Sequence, residues 1–208
     1  MILPVDFYAR ATLDVARDLI GKVLVHRTAQ GTASGLIVEV EAYIGEDDPA
    51  CHAAAGRTDR NAPLYGPPGR AYVYLNYGLH DMMNAVTEDE GHPSAVLIRA
   101  LAPLEGLPLM RRRRSRAPWR KGKPAVADPD LCKGPGNLTR ALGITLADNL
   151  LDLTLRPGSG QAAGRLYIED RDLRVGEIAW SPRIGLTVGV DKPWRCSVAG
   201  HASVSGKR

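Results

Sequence analysis

The chain has 208 residues, 44% hydrophobic and 24% charged, proportions of an ordinary globular protein that exclude a disordered or fibrous one. No apolar run approaches the roughly 18 residues of a membrane span, and the N-terminus lacks the basic, apolar, small-residue order of a secretory signal, so a soluble, intracellular protein is expected. The net charge of +4 is uneven: residues 111–123, RRRRSRAPWRKGK, hold eight basic side chains and no acid, leaving 19 basic against 23 acidic residues, −4, elsewhere.

In chain order, TLDVARDLI places apolar residues at helical spacing and predicts a helix over 12–20, with Thr12 as its N-cap and Gly21 ending it. GKVLVHRT and SGLIVEVEAYIG read as a hairpin turning through AQGTAS. In its second strand Leu36, Val38, Val40 and Ala42 share one face and Ile37, Glu39, Glu41 and Tyr43 the other. Two acids and a tyrosine on one face are either the water side of an antiparallel sheet or part of a site. Residues 46–70, rich in Gly, Pro and Asp, predict a long irregular loop, and such a loop inside a compact fold is commonly functional, which draws attention to His52 and Tyr65.

AYVYLNYGLHDMMNAVTE predicts a protruding hairpin near residues 72–86, broken at Gly78, with tyrosines near its tip. SAVLIRALAPLEG is a strand entering a short helix that leads into the basic run. That run is either a solvated loop or a holder of phosphates. In LCKGPGNLTRALGI, Pro135 suits the first position of a helix whose glycine-rich start is either an ordinary cap or an anion site. GRLYIED, GEIAWSPRIG and WRCSVAG are short strands, and no repeat or linker divides the chain. Cys51, Cys132 and Cys196 form no C-x-x-C pair, and His52, His80, His92 and His201 have no metal-binding spacing, so neither a disulfide framework nor a metal site is expected.

A carboxylate in a strand, a histidine-bearing loop, a tyrosine-rich hairpin and a basic patch together suggest chemistry on nucleic acid. The segments VEVEAYIGEDDPACHA, YVYLNYGLHDMMN, VLIRALAPLEG, LCKGPGNLTRALGI, PRIG and KPWRCSVAG, in this order and spanning almost the whole chain, resemble the alkyladenine (3-methyladenine) DNA glycosylases of the mammalian-type fold. The resemblance implies that Glu41 is the general base that activates water, with Arg99 and the main-chain carbonyl of Ile184 positioning that water. It implies that Tyr43, His52 and Tyr74 stack the extruded base, that Asn84 crowds normal guanine, and that Tyr77 wedges into the duplex. Glu39 receives no role and is expected to be a solvent-facing or structural residue.

The expectation is therefore an α+β fold in a single domain over 1–208, with a curved, mostly antiparallel sheet, peripheral helices and a protruding hairpin. The implied activity is monofunctional hydrolysis of alkylated or deaminated purines (3-methyladenine, hypoxanthine, ethenoadenine class) from double-stranded DNA in base excision repair. It needs no cofactor and no metal. The protein would act as a monomer on DNA inside the cell, in the cytoplasm or nucleoid of a bacterium, with no membrane and no protein partner inferred. The competing reading is a non-catalytic single-strand binder stacking bases on Tyr72, Tyr74 and Tyr77. A helix-hairpin-helix reading of GPGNLTRAL conflicts with the strand-rich sequence, and a zinc deaminase lacks its H-x-E and P-C-x-x-C signatures.

Overall fold

The alternating residues 36–44 belong to one long strand, β2 (Gly31–Ile44), around which the molecule is built. The computed structural model describes residues 1–116, 122, 124–155 and 164–206. Along one edge β2 pairs first with β1 (Val23–Thr28) and then, where β1 has ended, with β8 (Arg195–Val198); along the other it pairs with β5 (Ser94–Glu105). Outward from β5 lie β4 (His80–Val86) and β3 (Ala71–Asn76), while β6 (Leu166–Glu169) flanks β1 and β7 (Ile178–Ser181) flanks β8. Among the described residues every pairing is antiparallel, and the sheet curls. Helices α1 (Val5–Tyr8), α2 (Thr12–Leu19), α3 (Leu107–Ser115) and α4 (Pro135–Leu142) lie beside it, the α+β arrangement expected.

The local sequence explains these elements. In α2, Thr12, Val15, Ala16 and Leu19 are buried, the i, i+3, i+4, i+7 stripe of an amphipathic helix. The stripe joins Val38, Val40 and Ala42 of β2 and Leu138, Ala141 and Leu142 of α4 in the main core. Thr12 is not the cap, however. Ala11 precedes the helix without a side-chain bond, and the Thr12 hydroxyl instead meets Thr87 at 2.9 Å and Glu88, tying the helix start to the end of β4. The first hairpin turns more tightly than AQGTAS suggested, since Thr28 already faces Gly31 and β2 begins there.

Register shifts between β2 and β5 bend the sheet at its centre. Val40 faces Ile98 and Glu39 faces Ala100, so Arg99 is the unpaired residue of a bulge. The face carrying Glu39 and Glu41 does not meet water: both residues are 0% exposed, covered by residues of the C-terminal segment. That overturns the solvent-face reading of Glu39 and keeps the structural one.

The basic run is also not a simple solvated loop. Its first arginines lie within α3, where Arg113 donates to the Ala141 carbonyl at 3.2 Å and to the Leu142 carbonyl at 2.5 Å, serving the free C-terminal carbonyls of α4. Arg114 is buried and bonded to Asn137, and Arg111 pairs with Asp128. Arg112 and Arg116 remain exposed, while Arg120, Lys121 and Lys123 lie outside the described residues. Pro135 occupies the start of α4, as expected.

Candidate active site

The site grows from the bulged centre of the sheet. Glu41 on β2 accepts three hydrogen bonds: from the Ile184 backbone N–H at 2.7 Å on Oε1, and from the Tyr43 hydroxyl at 2.9 Å and Arg99 Nη1 at 3.1 Å on Oε2. The sequence-predicted trio of Glu41, Arg99 and Ile184 is thus brought together, although Ile184 reaches the carboxylate through its N–H rather than its carbonyl. Tyr43 and Glu41 project to one side because two strand residues separate their positions.

Glu39, one pleat earlier, is part of the same cluster. Its Oε1 accepts from Arg99 Nε at 3.1 Å, Arg195 Nε at 2.7 Å and the Ser205 hydroxyl at 2.9 Å, and its Oε2 from the Ser205 N–H at 2.6 Å. Two carboxylates therefore meet two guanidiniums, which is how charges survive away from water. Burial works against the charge of Arg99, but Glu41 and Glu39 outweigh it and hold the guanidinium more firmly protonated than usual.

Beside this cluster opens a cavity of about 320 Å³, at the small end of ligand pockets. Tyr43, His52, Tyr72, Tyr74, Asn84, Arg99 and Ile184 are among its lining residues, so Tyr43, His52, Tyr74 and Asn84 converge as the sequence predicted. Glu41 sits directly behind Tyr43, Arg99 and Ile184. The irregular loop supplies His52 from a one-turn helix over His52–Ala55. The His52 ring lies 4.4 Å from that of Tyr74, centroid to centroid, and its Nδ1 is 2.8 Å from the Tyr72 hydroxyl. Burial, with help from Arg60, pushes the His52 pKa down, so the ring is neutral near pH 7. Burial pushes the Tyr74 phenol up to about 12 and that of Tyr43 further, the latter also because Glu41 is adjacent. Both stay protonated. The Asn84 amide is fixed by donating to the Tyr72 carbonyl at 3.0 Å. Tyr65 packs against the same apolar cluster as Tyr43 and Tyr74 but does not line the cavity, and it donates to Glu46 at 2.7 Å.

Tyr77 stands at the tip of the β3–β4 hairpin, 90% exposed, with φ 47° followed by Gly78 at φ 67°. The left-handed pair belongs to the tight turn that closes the hairpin, in which the Leu79 N–H donates to the Asn76 carbonyl at 3.0 Å. The hairpin is braced from behind, where Thr139 of α4 donates to the Asp81 carbonyl at 2.8 Å.

Sequence reasoning missed Arg195, Ser205, Tyr72 as the partner of His52, and the buried pair of Arg183 with Asp48. Arg183 lies in the PRIG motif and Asp48 in EDDPACHA, so both stood in quoted segments, but nothing local marks either as buried. Among the described residues no cluster of three or more His, Cys, Asp or Glu is arranged to hold a metal, and no helix is long and apolar enough to cross a membrane.

The chain matches a family model described as methylpurine-DNA glycosylase over residues 6–202. It is 52% identical over 184 residues to a protein of Rubrobacter xylanophilus, covering 88% of this chain and 87% of that one. A protein of Methanocella arvoryzae is 47% identical over 197 residues, with 93% and 90% covered, and one of Burkholderia lata 45% over 205 residues, with 99% and 91% covered. All three are described as candidate 3-methyladenine DNA glycosylases. A match over nearly the whole chain, together with these identities, places the chain in the methylpurine-DNA glycosylase family and makes it a DNA N-glycosylase.

Proposed function

We propose that this enzyme turns an alkylated or deaminated purine, of the 3-methyladenine, hypoxanthine and ethenoadenine class, out of double-stranded DNA into the aromatic cavity and hydrolyses its N-glycosidic bond. Water is the nucleophile. As the bond between C1′ and the purine nitrogen breaks, the purine leaves with the bonding electrons, neutral where alkylation had made it cationic and taking up a proton from solvent where it had not, and the sugar acquires oxocarbenium character. The water oxygen bonds to C1′, and its proton passes to Glu41. Arg99 and Ile184 hold the carboxylate in place through their bonds to it.

Tyr43, His52 and Tyr74 stack the base, an arrangement suited to a cationic alkylated purine because ring faces are electron-rich. Asn84, held by the Tyr72 carbonyl, crowds the exocyclic amino group of guanine. Tyr77 fills the gap left in the duplex. The chain acts as a single domain and a monomer, since one copy supplies base, pocket and wedge. The observation that carries the reading is a fully buried carboxylate, held by three donors, directly behind an aromatic cavity beside an exposed tyrosine.

Glu41→Gln tests it. The amide keeps the side chain's shape but cannot take a proton from water, so single-turnover excision from a duplex with one hypoxanthine or ethenoadenine should fall by at least about 100-fold. Affinity for the lesion duplex should change little. Parental excision by this variant would refute the assignment, and absence of abasic product from every lesion duplex by the parent enzyme would refute the lesion class.

A further inference from the structure

Arg183 and Asp48 form an ion pair whose side chains are both 0% exposed, and the reaction described above makes no use of either. The pair is bidentate, with Nη1 donating to Asp48 Oδ2 at 2.6 Å and Nη2 to Oδ1 at 2.8 Å. A buried pair of this kind is weak evidence for stability alone, because desolvation offsets most of the attraction. What distinguishes it is what else the two side chains hold. Nη1 also donates to the Ala42 carbonyl at 2.9 Å, and the guanidinium carbon stands 4.6 Å from the centre of the Tyr43 ring. Asp48 accepts from the Ala50 N–H at 3.2 Å, at the turn that leads to His52. The residue after Arg183 is Ile184, whose N–H donates to Glu41.

Two of the three donors on Glu41, the Tyr43 hydroxyl and the Ile184 N–H, are therefore carried by segments that Arg183 joins. The third donor, Arg99, comes from β5 and is held separately by Glu39 and Ser205. From this division we infer that Arg183 and Asp48 are a positioning pair for the reaction, setting the Tyr43 hydroxyl and the Ile184 amide on Glu41 without touching the substrate. The inference rests on Glu41 being the base. Asp48 remains well suited to the role under working conditions: burial opposes its charge, yet Arg183 holds its carboxyl below the usual carboxylate range.

The test separates positioning from simple structural support. The double variant Arg183→Met with Asp48→Asn removes both charges while preserving volume and an acceptor for the Ala50 amide, and neutral replacement of a buried pair commonly keeps a protein folded. Positioning predicts a cooperatively melting protein that binds undamaged duplex like the parent but excises hypoxanthine about tenfold more slowly. It also predicts that the loss falls on the rate constant at saturating enzyme and not on lesion-duplex affinity, because donors on Glu41 have been loosened while the pocket walls remain. A folded double variant with the parental rate, or one whose loss lies in lesion-duplex affinity alone, overturns the proposal. Should the double variant not fold, Arg183→Lys keeps the cation beside Asp48 while losing the bidentate bond, and a parental excision rate in it likewise overturns the proposal. Glu41→Gln is measured alongside. If it is inactive while the pair variants behave as the parent, only positioning fails; if it excises like the parent, the assignment of the base fails first.

Discussion

Replacing Glu39 by Gln probes the cluster in a way that no substitution of Glu41 can. The amide keeps the shape of the side chain but lacks its charge, and its single oxygen can accept from the two arginines or from the Ser205 N–H, not from both sides at once. Arg99, buried, and Arg195, half-buried, then keep one carboxylate between them, and breaking a buried pair from one side typically costs about 3–5 kcal/mol. For a chain of this size about 1 kcal/mol lowers Tm by roughly 2–4 °C, so a fall of about 10 °C is expected by circular dichroism.

The same substitution should slow single-turnover excision by about tenfold, because Arg99 loses one of the bonds that aim it at Glu41 and small misplacements are costly in rate. A Glu39→Gln protein that melts within about 2 °C of the parent and excises at the parental rate would show that the cluster is not coupled as its bonds indicate.

Tyr77→Ala should weaken binding to duplex with a flipped lesion by about 10- to 100-fold, a loss of about 1–3 kcal/mol for one stacking side chain, while electrophoretic affinity for undamaged duplex stays within about twofold; equal loss on both would refute the wedge. Arg112→Gln combined with Arg116→Gln should lower the slope of log K against log salt by about 2, near 0.9 per phosphate contact, without changing lesion preference, whereas Arg113→Gln should lower Tm because Arg113 serves the α4 carbonyls; an unchanged slope would leave Arg112 and Arg116 as plain surface charges. Gly136→Ala would set a methyl 2.6 Å from the His80 ring, so the hairpin must shift and lesion affinity should fall while binding to undamaged duplex persists; parental affinity on both would show that the hairpin tolerates displacement.

Much of this architecture was legible because it is local. Period-two alternation exposed Glu41 and Tyr43 on one face of β2, Gly78 marked the hairpin turn, and Pro135 marked the start of α4. What escaped depends on residues far away in the chain. The face of Glu39 and Glu41 reads as a water side until Ile184 and Ser205, more than 140 residues later, fold over it. The arginines of α3 look like a solvated stripe because their acceptors, the Leu142 carbonyl and Asn137, lie 29 and 23 residues away. Thr12 has the chemistry of an N-cap, but tertiary partners at Thr87 and Glu88 outcompete the helix for its hydroxyl.

The balance of the buried cluster bears on how Glu41 can serve as a base at all. Glu39 and Glu41 carry two negative charges and Arg99 and Arg195 two positive ones, so the resting cluster is neutral and can be kept from water. In the proposed reaction the sugar develops positive charge as the purine leaves, and that charge is quenched when the water oxygen bonds to C1′ and the proton moves to Glu41. Positive charge is thus transferred from sugar to cluster rather than created inside the protein. The protonated state leaves Glu39 alone to face both guanidiniums, and its bonds to both Arg99 and Arg195 are the means of doing so. On the proposed mechanism, a carboxylate without reactive contact would then matter to the proton transfer through Arg99, the guanidinium that it shares with the one receiving the proton.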